Sequence, residues 1–177
     1  MSQNKEIPYK TAWAVAKKIV QELSPACERV EIAGSLRRAK PAVHDIDIVL
    51  LPRLSSGVGL QASASRLDEI LSALINRGSL RVVRDGDKIR SFIATKTGIP
   101  IDIYIATRDT WATLLLIRTG SREHNIQLAQ RARQLGMKLR ASGDGIENQD
   151  GELIKIQSED QIFTLLKVPY FPPQKRG

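Results

Sequence analysis

Cysteine is scarce in this sequence, with only Cys27 among 177 residues. A single thiol excludes an intrachain disulfide and a zinc site made of several thiolates, and a reducing cytoplasm is the simplest expected location. No apolar run approaches the roughly 18 residues that a membrane span needs, so we expect no membrane partner. The first residues carry no apolar signal-peptide core, and we find no internal repeat and no low-complexity tract.

Positive charge, in contrast, is in excess. Lysine and arginine number 27 against 19 aspartates and glutamates, which gives a net charge of +8 with neutral histidines. Such a balance suits a polyanionic partner. Apolar residues make up 42% of the chain, which is enough for a buried interior, and the length fits one domain or two small lobes that share a core.

The spacing of apolar residues predicts an α+β fold over residues 1–106. Periods of three and four residues predict helices over 8–24 and around 67–74, the second closed by Gly78. Residues 34–44 are predicted to form a loop, and 55–59 a flexible connection. Alternating apolar residues predict the strands 30–32, 45–51, 80–84, 88–95 and 101–105.

Residues 107–177 are predicted to form a smaller second lobe. Ser121 is suited to cap one helix, with His124 on its exposed first turn, and Ser158 to Gln161 reads as a capping box for the last helix. A short β region is predicted over 137–156. The boundary near residue 107 separates this lobe from the first.

Three aspartates occur in the same strand phase. Asp45 and Asp47 flank Ile46, so alternation places both carboxylates on one face, and Asp102 has the same setting between two isoleucines. If the two strands are neighbours, the carboxylates converge, and one must be protonated or a cation must lie between them. Hard oxygen ligands favour Mg²⁺ or Mn²⁺. The alternative is that these aspartates line the solvated face of a half-exposed sheet.

The loop before these aspartates favours the metal interpretation. Gly34 and Ser35 follow a predicted strand, and their N–H groups can cradle an anion, while Arg37 and Arg38 supply forked donors for phosphate oxygens. Alone, this segment is also compatible with a solvated strand-to-helix turn. An anion-binding loop ten residues before a carboxylate pair is what a nucleoside triphosphate with bound Mg²⁺ requires.

Together, Gly34-Ser35-Leu-Arg-Arg38 and Asp45-Ile-Asp47 resemble the nucleotidyltransferase signature of the DNA polymerase beta superfamily, and most of all that of family X DNA polymerases. Asp102 lies in Ile-Asp-Ile, where that family has its third metal carboxylate. Thr119-Gly120-Ser121 is similar to the family's aromatic-aromatic-Thr-Gly-Ser motif. The tail Tyr170-Phe-Pro-Pro-Gln-Lys-Arg176 also matches, so the resemblance covers almost the whole chain.

The resemblance implies a nucleotidyltransferase palm over 1–106, with helices packed on a mixed sheet, and a small α/β nucleotide-selecting lobe over 107–177. These two lobes alone make a compact form of the family. The implied activity is DNA polymerisation, in gap filling or repair, by a two-metal mechanism with Mg²⁺ or Mn²⁺. The implied partners are gapped or primer-template DNA and a nucleoside triphosphate, and we expect a monomer.

The resemblance also implies roles for individual residues. Asp45, Asp47 and Asp102 are the expected catalytic metal ligands, and the segment 117–140, with six basic residues and one acidic, is the expected track for the DNA backbone. The expected nucleotide-binding residues are Gly34, Ser35, Arg38, His44, Thr119, Gly120, Ser121 and Asn125. The expected DNA-binding residues are Arg118, Arg122, Arg131 and Arg133.

Four positions depart from the family's pattern. Ile117 and Arg118 replace an aromatic pair, Pro100 stands where a basic residue often precedes the third carboxylate, and Ala129 replaces a frequent arginine. These positions concern sugar choice, primer contacts and fidelity. Two other functions stay open: nucleotidyl transfer to another acceptor, such as an RNA end, a protein or a small molecule, and a non-catalytic DNA-binding derivative.

Overall fold

The computed structural model describes residues 6–53 and 61–177, with side chains from residue 66 onward in the second range. The predicted flexible connection at 55–59 lies outside these residues. The helices and strands follow one another as β1 (Ile7–Pro8), α1 (Tyr9–Leu23), β2 (Cys27–Ile32), α2 (Gly34–Arg37), β3 (Ala42–Val43), β4 (Ile46–Pro52), α3 (Gln61–Asn76), β5 (Leu80–Asp85), β6 (Ile89–Ala94), β7 (Ile99–Ile105), α4 (Trp111–Thr119), α5 (Arg122–Gln134), β8 (Lys138–Leu139), β9 (Ile146–Glu147) and α6 (Glu159–Leu165).

A mixed sheet of five strands forms the centre of the fold, in the order β2-β4-β7-β6-β5. Strands β4 and β7 are parallel, and the other neighbours are antiparallel. Two further pairs, β1 with β3 and β8 with β9, are short. This arrangement of helices on a mixed sheet confirms the predicted α+β class. Within the described residues, no helix has the length and apolar character needed to cross a membrane.

The two faces of the sheet pack against different layers. Ile46, Ile48 and Leu50 point to the face that is covered by α1 and α3. The alternate residues of β4 and β7 point the other way, where Val49 and Tyr104 pack with Trp111 of α4. Because side chains alternate along a strand, Asp45, Asp47 and Asp102 also belong to the α4 side. The sheet therefore presents its acidic residues toward the C-terminal part of the chain.

Helix α4 connects the sheet to the C-terminal part of the chain. Leu114 and Leu115 pack on the sheet, whereas Ala112 and Leu116 join a separate apolar cluster with α5 and α6. Because α4 contributes to both clusters, the lobe boundary near residue 107 stays a prediction. The predicted β region over 137–156 corresponds to β8, β9 and a bridge between Glu147 and Leu153.

Two local expectations were wrong. The predicted loop at 34–44 contains α2, whose turn is closed by the amide of Arg37 donating to Ala33 at 3.1 Å, and β3, which pairs with β1. His124 is only 8% exposed, because the first turn of α5 packs against Phe163 and Phe171. The pairing of β3 with β1 and the packing of His124 on Phe163 and Phe171 join residues distant in the chain, and α2 is only one turn long, so apolar periodicity indicates none of these features.

Candidate active site

Asp47 and Asp102 lie directly opposite each other on the parallel strands β4 and β7. Asp45 stands two residues before Asp47, at the entrance of β4, and shares its face. The condition stated for convergence, that the two strands be neighbours, is met. The fold thus brings a carboxylate from residue 102 to a pair more than fifty residues earlier in the chain.

The electrostatics of the site reflect this crowding. Burial raises the pKa of Asp47 to about 7, and the charges of Asp45 and Asp102 add to the effect, while the Tyr104 hydroxyl and Arg118 oppose it. The pKa of Asp45 is raised as well, first by burial and then by Asp102. The three carboxylates are therefore close enough to repel one another.

The donor set fits a hard divalent cation, because it consists of carboxylate oxygens whose mutual repulsion a cation would relieve. As the side chains stand, however, no three acidic, histidine or cysteine residues within 6–53 and 66–177 are grouped closely enough to hold a metal ion. Asp47 in particular is turned toward Gly34. Metal binding by Asp45, Asp47 and Asp102 therefore requires rotation of side chains.

Gly34 fixes the position of α2 over β4. Its φ of +59° is in the left-handed region, and a Cβ added there would lie 1.9 Å from Oδ2 of Asp47. The Ala33 amide also donates to the Asp47 carbonyl at 2.8 Å. Only glycine allows this approach, so the first residue of the predicted anion-binding segment directly contacts a predicted metal ligand.

A cleft of about 500 Å³ opens beside these residues. It collects eight of the expected site residues, namely Gly34, Ser35, Arg38, His44, Asp45, Asp47, Arg118 and Gly120. Pro100 and Lys40 also line it. Lys40 was missed from the sequence, although it lies only two residues after the Arg37-Arg38 pair. Asp102 is absent from this lining and joins the site through its register with Asp47.

The two adjacent arginines have different partners. Arg38 donates from Nη1 to the Thr119 carbonyl at 2.6 Å, and its buried Nε has no hydrogen-bond partner among the described residues. Arg37 turns away from the cleft and donates to the Thr119 hydroxyl at 2.8 Å and to Glu159. The expectation that both arginines serve phosphate is therefore wrong for Arg37, whose donors are used between α2 and the C-terminal helices.

The Thr-Gly-Ser segment lies where α4 ends and α5 begins. Thr119 is fully buried between the two arginines, and Ser121 caps α5 by accepting the His124 amide at 3.1 Å. Asn125 donates from Nδ2 to the Ile117 carbonyl at 2.8 Å. A Cβ at Gly120 would lie 2.4 Å from Oδ1 of Asn125, so this glycine gives the amide its space.

The four arginines expected to contact DNA do not form one surface. Arg122 and Arg133 are exposed on α5. Arg131 donates from Nε to the Leu166 carbonyl at 2.9 Å, at the end of α6. Arg118 lies in the cleft, with its guanidinium over the ring of Tyr104. The positive charge of the segment is thus divided among the surface, the helix packing and the candidate site.

Comparison with known proteins agrees with this geometry. The profile of the DNA polymerase beta thumb matches residues 114–177. A DNA polymerase/3′-5′ exonuclease PolX of Bacillus subtilis (strain 168) is 26% identical over 179 residues, which cover 98% of this chain. This chain is related to the family X DNA polymerases. It spans only 29% of the length of that PolX protein.

Structural similarity extends the family X relationship to the fold. A crystal structure of Leishmania infantum polymerase beta, in a ternary P/T complex, matches 98% of this chain with a TM-score of 0.77 and 19% sequence identity. The match covers 77% of that chain. The resemblance to family X, read first from the two signature segments, is therefore confirmed.

Proposed function

We propose that this chain is a DNA polymerase that transfers nucleotides from nucleoside triphosphates to a primer 3′-hydroxyl, in gap filling or repair. The observation that carries the proposal is the register of Asp47 against Asp102, with Gly34 packed on the Asp47 carboxylate. A carboxylate cluster next to backbone amides and arginine is suited to a nucleotide with its cation. The names of the PolX and polymerase beta relatives agree with this chemistry.

Asp45, Asp47 and Asp102 would hold two Mg²⁺ or Mn²⁺ ions. When bound, such ions supply Lewis-acid stabilisation of phosphoryl oxygens and lower the pKa of a coordinated hydroxyl. Repulsion between the carboxylates contributes to the raised pKa values of Asp45 and Asp47, and a bound cation would relieve this repulsion and favour the ionised forms.

The cleft residues would hold the rest of the nucleotide. Gly34 and Ser35 would offer donors to the triphosphate, and Arg38, with a buried Nε that has no partner within the described chain, would neutralise it. Lys40 and His44 line the same cleft. Preorganised positive groups of this kind stabilise the negative charge that develops on a leaving pyrophosphate.

The segment after α4 would seat the base and sugar, and α5 would contact DNA. Gly120 lines the cleft, and Thr119 and Ser121 are its neighbours in the sequence. Asn125 would exchange its bond with the Ile117 carbonyl for one with the incoming base. Arg122 and Arg133 are exposed and can meet phosphates of the DNA backbone. We propose accordingly a palm over 1–106, a nucleotide-selecting lobe over 107–177, and action as a monomer.

The deciding experiment is primer extension by Asp102→Asn, which keeps the size of the side chain and removes its charge. We expect extension on gapped DNA to fall by at least about a hundredfold, because the variant loses one ligand of the proposed cation site. Binding of a triphosphate, measured by fluorescence titration, should persist through Arg38 and the Gly34 loop. The matched control is Asp109→Asn, an exposed aspartate beyond the end of β7, which should extend normally.

The same assay separates the other functions. Wild-type transfer to an RNA end or a small acceptor, without extension of primed DNA, would favour a nucleotidyltransferase with another substrate. DNA binding with no Mg²⁺-dependent product on any acceptor would favour a non-catalytic derivative. Normal extension by Asp102→Asn would contradict the three-carboxylate site itself.

A further inference from the structure

The row of side chains that holds Asp47 and Asp102 continues across the sheet to the edge strand β5. Asp102 of β7 lies opposite Ser91 of β6, and Ser91 lies opposite Arg84 of β5. Residues paired across neighbouring strands point to the same face, so Arg84 belongs to the acidic face of the sheet. The backbones of Arg84 and Asp102 are two strand spacings apart, which is about 10 Å.

A second row lies beside the first, at the border of the cleft. Pro100, which lines the cleft, lies opposite Ile93 of β6, and Ile93 lies opposite Arg81 of β5. Pro100 comes two residues before Asp102 on β7 and therefore shares its face. Pro100 and both arginines of β5 are exposed, and Ile93 is partly buried. The acidic face thus continues from the cleft over β6 to two exposed arginines, Arg81 and Arg84, which we call the β5 arginines.

A bulge in β5 places Arg84 on this face. The register of β5 against β6 shifts by one residue at Val83, so that Arg84 lies opposite Ser91. Without the shift, Arg84 would lie opposite Arg90, which points to the other face and pairs with α3. The residue opposite Arg90 is instead Asp85, which forms an ion pair with it at 3.3 Å. The bulge therefore directs the acid of β5 to the α3 side and the arginine to the acidic face.

The β5 arginines are available for a ligand. Among the residues that the structure describes, neither has an acidic partner, whereas Arg66, Arg77 and Arg90 each have one. Positive charge on an edge strand can also serve to prevent pairing with other chains, so charge alone does not identify a ligand. The position of the two rows, which begin at Asp102 and at the cleft, is the observation that identifies one.

The surroundings of the carboxylates leave one side of the sheet for a primer strand. On the β4 side, Gly34 of α2 packs against Asp47, and this segment together with Arg38 is assigned to the triphosphate. A strand whose 3′-hydroxyl lies at the carboxylates can therefore leave them over β6 and β5. The guanidinium groups of the β5 arginines carry forked donors that match phosphate oxygens.

We propose that Arg81 and Arg84 bind phosphates of the primer strand close to its 3′ end. The inference rests on the proposed function, since it takes the primer 3′-hydroxyl to lie at the carboxylates. It adds to the DNA contacts proposed for α5 a second set on the sheet, and it assigns this second set to one strand of the DNA.

The test measures binding of primer-template DNA by fluorescence anisotropy, with chelator present so that no divalent cation contributes. Arg81→Ala and Arg84→Ala should each weaken binding by about fivefold, the upper range for an exposed charge pair. The matched control is Arg66→Ala, which removes an equally charged, exposed side chain from α3 on the opposite face and should bind normally.

A chemical change in the DNA identifies the strand. Neutral methylphosphonate linkages next to the primer 3′ end should weaken wild-type binding but should weaken binding by Arg84→Ala much less, because the partner of the arginine is already lost. The same linkages in the template should affect both proteins equally. Equal sensitivity of both proteins to the modified primer, or coupling to the template alone, would overturn the inference. Self-association of the variants with unchanged DNA affinity would show that the arginines only protect the edge of the sheet.

Extension with Mg²⁺ on the same DNA distinguishes failure of the inference from failure of the proposed function. Normal wild-type extension without coupling between Arg84 and the primer would contradict the inference alone. Coupling without extension would contradict the polymerase activity and leave the β5 arginines as a DNA-binding site. Absence of wild-type binding to primer-template DNA would contradict both.

Discussion

Glu159 of α6 accepts hydrogen bonds from Arg37 of α2 at 2.7 and 3.0 Å, across 122 residues of chain. Its Oε1 also accepts from Nη1 of Arg176 at 2.5 Å. Burial raises the pKa of Glu159, but the bonds from the two arginines lower it by more, and the net shift is downward. A charged carboxylate between two arginines therefore ties the C-terminal part of the chain to α2, which contains the proposed phosphate-binding residues Gly34 and Ser35.

Glu159→Gln should destabilise the protein strongly. Arg176 is 0% exposed and Glu159 only 9%, so the variant leaves buried positive charge without its counter-charge, at a cost of about 3–5 kcal/mol. Urea denaturation near neutral pH measures the change. Glu69→Gln, which removes an exposed partner of Arg66, should cost less than about 1 kcal/mol. Equal effects at the two positions would refute a structural role for the buried cluster.

Gly34→Ala should damage both stability and activity. The added Cβ would clash with Oδ2 of Asp47, whereas Gly78 has a similar φ of +70° and nothing within 4 Å of such a Cβ. Gly78→Ala thus measures backbone strain alone, about 1–2 kcal/mol. We expect Gly34→Ala to exceed that loss and to abolish extension, as measured by denaturation and primer-extension assays. If Gly34→Ala and Gly78→Ala lose the same stability, the contact between Gly34 and Asp47 does not contribute to stability.

Arg122→Ala and Arg133→Ala should each weaken DNA binding and reduce its dependence on salt. Each exposed arginine that meets a phosphate contributes about 0.9 to the slope of log K against log salt concentration. Fluorescence anisotropy with gapped DNA over a salt series measures that slope. Lys18→Ala, on the exposed side of α1 and across the sheet from α4, should leave it unchanged. Unchanged slopes for both arginine variants would place the DNA elsewhere.

His124→Asn should destabilise the protein, relative to the wild type, less in acid than near neutral pH. Burial and the charge of Arg176 lower the pKa of His124, although Glu159 opposes them. Below the ordinary pKa of about 6.5, the unfolded chain binds a proton that the folded chain does not, so wild-type stability falls as pH falls. The difference in free energy of unfolding between wild type and variant should therefore shrink by up to about 1.4 kcal/mol for each pH unit below this value.

Denaturation at about pH 7.5 and 5.5 checks this expectation, with pH values chosen on either side of the ordinary histidine pKa. Gln127→Asn, on the exposed side of the same helix, is the control and should have the same effect at both pH values. If the difference in stability between wild type and His124→Asn is the same at both pH values, the buried imidazole does not resist protonation.

Much of the fold follows from local patterns in the sequence. Alternation identified β4 and β7, and with them the shared phase of Asp45, Asp47 and Asp102. Ser121 was correctly assigned as the cap of α5, because a cap involves only residues three positions apart. The predicted strands 80–84 and 88–95 appear as the antiparallel pair β5 and β6. Each of these features depends on neighbours in the chain, and the sequence therefore contains the information directly.

By itself the sequence determined the class of fold, the strand phase of the three aspartates and the glycine-serine segment before them. The tertiary structure alone decided that β4 and β7 are adjacent, that Arg37 pairs with Glu159, and that Arg118 stacks on Tyr104. Periodicity shows which face a side chain occupies but does not identify the surface that packs there. Partners distant in sequence are selected by the packing of whole helices and strands. This packing gives different partners to Arg37, the last residue of α2, and to Arg38, which follows it.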